Sequence, residues 1–132
     1  MSISVNTNFR GYLISSSSVT SLVSSNNIKI GWTVQDDEFP CIIIHQDGGE
    51  DVGFLGYNKS SAGSKTRREK VSLQIDIYSQ TSQYEVDQIA DAIVPIMISG
   101  GCRKTSDMNL FNDEIDVWRK TQIYEMYQFH DD

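Results

Sequence analysis

The residues best suited to acid–base chemistry are two histidines, His45 and His130, since imidazole titrates near neutrality. His45 ends the apolar run Cys41-Ile42-Ile43-Ile44 and His130 lies in the tail, and neither has a carboxylate at a spacing that marks a catalytic dyad. Both read as structural or solvated. Asp113, Glu114 and Asp116 could bind calcium, but no loop of alternating oxygen ligands surrounds them. They read as a solvated acidic turn. Gly48-Gly49, Gly53 and Gly56 occupy a polar segment with no helix after it to aim amides at a phosphate. Trp32 and Trp118 fall at strand positions, where packing in the core is the commoner fate. Cys41 and Cys102 are too far apart to form a disulfide framework. They read as reduced thiols of a cytoplasmic product, with Cys41 buried in a strand. No glycine-rich phosphate loop, zinc pattern or serine-centred elbow occurs. The expectation is a non-enzymatic protein with no catalytic residues, no metal and no cofactor.

Charge narrows the partners. The 132 residues carry a net charge of −7, with a pI near 4.7. Such a chain repels phosphate backbones instead of releasing their counterions, and it is repelled by anionic membranes. No apolar run approaches the ~20 residues of a spanning helix. Met1 to Asn6 has neither the basic segment nor the apolar stretch of a secretory signal. Other proteins and small ligands remain as partners.

The charges themselves are segregated in one stretch, Gln46 to Lys70, which reads as a long flexible loop or hairpin within a single domain spanning 1–132. Asp47, Glu50 and Asp51 lie in its first half, and Lys59, Lys65, Arg67, Arg68 and Lys70 mostly in its second. One reading is a solvated hairpin whose arms attract each other. The other is an assembly arm, in which these eight residues form a subunit interface. Head-to-tail rings offer two different surfaces per subunit, so acidic and basic patches can meet at every contact.

The elements that would position this stretch follow from periodicity. Phe9 to about Ser25 places Phe9, Tyr12, Leu13, Val19, Leu22 and Val23 near one helical face, interrupted by Ser15-Ser16-Ser17-Ser18. Met1 to Asn8 reads as a polar arm. Ile28 to Trp32 reads as a short strand and Cys41 to His45 as a buried one. Val71, Leu73, Ile75 and Ile77 alternate with polar residues, which is the pattern of a strand with one buried face. Ser82-Gln83-Tyr84-Glu85 fits a capping box. Behind it Val86, Ile89, Ala90, Ile93 and Met97 recur at helical spacing. Pro95 predicts a kink or fray, Gly100-Gly101 the end, and Arg103-Lys104 cations near the C-terminal dipole. Ile115 to Phe129 reads as one or two strands, with a turn near Arg119-Lys120-Thr121. These pieces predict an α+β fold: an antiparallel sheet of about four strands, two helices on one face, and the long charged loop.

Three stretches together resemble the tail-completion and tail-terminator family of tailed phages. They are the proline-led strand Phe39-Pro40-Cys41-Ile42-Ile43-Ile44, the alternating strand Val71 to Ser79 feeding Ile89-Ala90-Asp91-Ala92-Ile93, and the aromatic closing strand Gln122 to Phe129. The resemblance implies a virion structural protein with no catalytic residues. Its subunits would form a ring, commonly hexameric, at the head-proximal end of the tail. The ring would contact the tail-tube protein and the neck or connector proteins, and DNA would pass through its lumen without tight binding. The implied location is the virion tail or neck after synthesis in the host cytoplasm, with no membrane contact. Two alternatives stand beside it: a neck or head-completion protein, and a small-molecule-binding α+β module whose long loop is a lid.

Overall fold

A computed structural model describes residues 5–31, 39–55, 66–113 and 116–131. Helix α1 spans Val5–Ile14 and α2 spans Ser17–Thr20. A 3₁₀ turn at Ser25–Asn27 leads into β1, Ile28–Ile30. Strands β2 (Cys41–Leu55) and β3 (Thr66–Ser79) precede α3 (Gln83–Ser99), and β4 (Arg103–Asn112) and β5 (Val117–Asp131) follow it. The five strands form one sheet in the order β1-β2-β3-β5-β4.

The α+β class agrees with the sequence, and several details correct it. The sheet is mixed, because β1 runs parallel to β2 while every other pair is antiparallel. Among the described residues there are five strands where about four are expected, and three α-helices where two are. The serine run splits the first helix, as the weak helical preference of serine predicts. That helix begins earlier than expected, within the supposed arm, at Val5. Ile115 to Phe129 holds no turn at Arg119-Lys120-Thr121, since β5 is continuous through it. His130 lies on the same strand, not in a tail. The missing strand is β4, whose first residues, Arg103 and Lys104, start a strand instead of capping a helix.

One core holds the layers together. Phe9 and Leu13 of α1, Val19 of α2, and Val86, Ile89, Ala90, Ile93 and Met97 of α3 pack on a single sheet face. They meet Ile42 and Ile44 of β2, Val71, Leu73, Ile75 and Ile77 of β3, and Tyr124 of β5. The alternation on β3 therefore has the cause proposed for it, with odd positions buried under helices. Trp118 packs half-buried against this core and tilts onto Phe111, with ring centroids 4.9 Å apart. Trp32 lies outside the described residues.

Local chemistry sets the ends of α3. The Ser82 hydroxyl oxygen accepts the Glu85 amide at 3.1 Å, which is half of the expected capping box. The Glu85 carboxylate instead accepts the Ser79 hydroxyl at 2.6 Å, tying the end of β3 to the helix start. The helix runs through Pro95 to Ser99 and ends at Gly100 and Gly101, the latter with φ +95°. A Cβ on Gly100 would lie 2.5 Å from Cε1 of buried Phe9, so that glycine is required by close approach of the two helices.

Candidate functional site

The charged stretch is largely strand. Its first arm continues β2 to Leu55 and its second opens β3 at Thr66, and the two pair antiparallel with bulges between Gln46 and Gly48 and between Asp51 and Phe54. Bulges and glycines are tolerated at a sheet edge, which is how Gly48, Gly49 and Gly53 fit into β2. Residues 56–65, on which the lid alternative would fall, lie outside the described residues. The register sets Glu50 opposite Lys70, Asp51 opposite Glu69, and Phe54 opposite Arg67. On its other side β3 sets Arg67 and Arg68 opposite His130 and Phe129 of β5.

The eight candidate interface residues thus divide. Asp47, Glu50 and Asp51 lie on β2, and Arg67, Arg68 and Lys70 lie on the neighbouring strand. Lys59 and Lys65 fall outside the described residues. Lys70 has a partner within its own subunit: its ammonium stands 2.7 Å from Glu125, which also takes Arg103 at 3.2 Å. The Lys70 hydrogen bond, aided by Arg103, holds the Glu125 carboxyl below its usual range. These three strands extend five register positions past Val71, the last core position on β3, which is about 17 Å at ~3.4 Å per residue.

The sheet face turned away from the helices carries a second feature. Asp76 of β3 sits at its centre, with four side chains converging on one carboxylate. Thr121 donates its hydroxyl at 2.6 Å and Arg119 a guanidinium N–H at 3.1 Å. His45 Nε2 lies 3.0 Å away, and Gln74 reaches both oxygens at 3.2 Å. Thr121 is directly opposite Asp76 in register and the others are near neighbours on the same face. Burial pushes the Asp76 carboxyl up, but the hydrogen bonds from His45 and Thr121, the Arg119 charge and the Gln74 bond together outweigh it. The carboxyl is held below its usual range. Arg119 also lies over the Tyr78 ring, 5.5 Å from its centroid.

His45 and Asp76 resemble the orienting half of a catalytic dyad, which the sequence reading missed by finding no carboxylate partner for His45. Their burial fits a structural pair. Each is only 3% exposed, and Thr121 gives its proton to the carboxylate and not to the imidazole. The cluster ties β2, β3 and β5 together. The only available signal was parity, which assigns His45 and Asp76 to the helix-free face once the two strands are paired.

Other candidates resolve simply. Asp113 and Asp116 are exposed in the turn joining β4 to β5, with Asp116 at φ +50°, and Glu114 lies outside the described residues. Among the described residues no group of three or more His, Cys, Asp or Glu could hold a metal ion. Cys41 and Cys102 are buried thiols, and burial pushes the Cys102 thiol up to about 11. An open groove of about 560 Å³ runs between the ends of α1 and α3, lined by Tyr12, Ser15, Ser16, Pro95, Ile96, Ser99 and Gly100. No described helix is long and apolar enough to cross a membrane.

No protein-family model matches the sequence, and no curated protein matches it. The fold is similar to a chain in the solved virion of a native gene transfer agent (GTA) particle. The TM-score is 0.66 at 6% identity, and the match covers 96% of this chain and 95% of that one. At that identity the likeness is one of fold, and it extends over nearly the whole of both chains.

Proposed function

We propose that this chain is a non-enzymatic structural subunit of a tailed virion: a tail-terminator or tail-completion protein that forms a ring at the head-proximal end of the tail and joins it to the neck. The observation that supports this most is the fold likeness to a GTA virion chain along almost the full length of both. The partners are further copies of the chain, in a ring of six, with the tail-tube protein on one side and neck or connector proteins on the other. DNA passes through the lumen, where an acidic wall prevents tight binding. A neck or head-completion subunit is the second reading, because the similar chain belongs to a whole particle and no position in it is specified.

The charged hairpin arms supply an assembly contact in this reading, acidic on β2 and basic on the first half of β3. Changing Arg67→Glu and Arg68→Glu together should leave the melting temperature nearly unchanged, since both lie outside the apolar core on β3 and charges away from a core contribute little. The same change should weaken ring closure most in low salt, where screening is least. Changing Asp47, Glu50 and Asp51 to Lys in the same chain should partly restore it. Native mass spectrometry and electron microscopy of the purified protein, alone and with tail tubes, read the result. A strict monomer at every concentration and ionic strength, with no ring on tubes, would overturn the reading.

A further inference from the structure

The sheet leaves two lengths of strand edge without a neighbouring strand among the described residues. One is the outer edge of β4, Arg103–Asn112. The other is the outer edge of β2 beyond Ile44, because β1 covers only Ile42–Ile44. Open edges carry rows of amides and carbonyls that template another strand, and proteins blunt them with charges, prolines or bulges. β4 is blunted only in its first half, where Arg103, Lys104, Asp107 and a bulge between Lys104 and Ser106 lie. The second half has no charge. It exposes Met108 (52%) and Leu110 (42%), opposite Thr121 and Arg119 on the helix-free face.

Charge and direction both point to a second copy of this chain as the occupant. The uncovered part of β2, Gln46–Leu55, contains Asp47, Glu50 and Asp51, no basic residue, and the apolar Val52, Phe54 and Leu55. β4 opens with Arg103, whose side chain is 79% exposed, and Lys104. Both β2 and β5 run antiparallel to β3, so they share one direction and β4 runs against them. A neighbour that continues the sheet in the same sense therefore presents β2 antiparallel to β4.

The stagger agrees as well. Through Arg119 and Tyr78, Leu110 stands level with Cys41 of its own subunit. To clear the neighbour's β1 the end of β4, Asn112, must reach at least His45, which brings Leu110 to about the level of Asp47, roughly six residues along the strand and about 20 Å at ~3.4 Å each. Four strands span about 19 Å at ~4.8 Å each, so the implied tilt is about 45°, at the upper end of the roughly 35–45° of closed sheets.

We propose that β4 of one copy adds antiparallel to the open half of β2 of the next, so that the subunits close into a ring through one continuous, staggered sheet. The two edges differ, which makes the contact head-to-tail, as ring closure requires. This rests on the ring reading above and names the edges that close it.

The test replaces Met108 with p-benzoylphenylalanine in the full chain and irradiates oligomers assembled from mixed isotope-labelled and unlabelled protein. Cross-links from position 108 to Gln46–Leu55 peptides, running between labelled and unlabelled chains, are expected. Rings whose cross-links instead reach β4 of the other chain, or its helical face, would overturn the edge pairing and leave the ring reading standing. A chain that never oligomerises would overturn both. A second variant, Met108→Lys with Leu110→Lys, alters exposed side chains only. It should weaken assembly at least ten-fold with unchanged circular dichroism and melting temperature, and rings that form as readily as before would refute the proposal.

Discussion

Replacing Asp76 by alanine would remove the acceptor shared by His45, Gln74, Arg119 and Thr121. Each polar group left without a partner in a buried site costs roughly 1–3 kcal/mol, and such costs within one network do not add. Breaking a buried charge pair by deleting one member costs about 3–5 kcal/mol; because the Arg119 side chain is a third exposed and screened by water, about 2–3 kcal/mol is expected for Asp76→Ala. For a domain of this size it corresponds to a fall in melting temperature of about 6–15 °C. Asp76→Asn keeps the volume and one acceptor but cannot balance Arg119, so its cost should be smaller. The acid dependence provides the sharper check. A carboxyl whose folded pKa lies below its unfolded value contributes stability above the unfolded pKa and loses it as pH falls through the folded one. Asp76 is held low in that way, so the wild-type chain should lose stability below about pH 4. That part of the loss should be absent in Asp76→Asn. Urea unfolding monitored by tryptophan fluorescence, repeated from pH 7 to pH 3, measures both effects. If Asp76→Ala costs less than about 1 kcal/mol, or Asp76→Asn shows the same acid slope as wild type, the cluster does not stabilise the sheet as argued.

Two further outcomes follow from the packing. Gly100→Ala should destabilise the chain by about 1–3 kcal/mol through collision with Phe9, and Phe9→Leu in the same chain should recover part of that loss in a thermal melt. Cys102, buried and with its thiol raised to about 11, should react slowly with a thiol reagent at pH 8 in the folded chain and rapidly in urea; fast native labelling would contradict its burial.

What the sequence disclosed depended on how one-sided each element's surroundings are. β3 and α3 each turn a single apolar face to the core, so their apolar positions repeat at the period of the element and can be read directly. β4 lies at an edge, with polar Arg103 to Asp107 and exposed Met108 and Leu110, and no period survives there. The outer half of β2 reads from sequence as loop or hairpin and not as a long strand, because Gly48, Gly49, Gly53 and three acidic residues disfavour strands. Pairing with β3 overrode that preference. The parallel placement of β1 and the meeting of His45 with Asp76 depend on register between distant segments, which local composition does not encode. The charge segregation was legible and so was a hairpin as one of its two readings; the register, which sets the two halves on adjacent antiparallel strands with two bulges, was not.

The placement of Asp76 bears on how the sheet avoids folding out of step. Along β3 the apolar positions Val71, Leu73, Ile75 and Ile77 are nearly interchangeable, and their spacing repeats every two residues. A slip of two residues against β2 or β5 would therefore still present an apolar row to the helices, and hydrophobic burial alone discriminates poorly between the two alignments. The opposite face has no such repeat. Shifted by two, Asp76 would leave Thr121 and His45, and the partly buried Arg119 charge would lose its counterion. One carboxylate thus makes the native alignment energetically distinct on both flanking strands at once, where the core by itself is nearly degenerate.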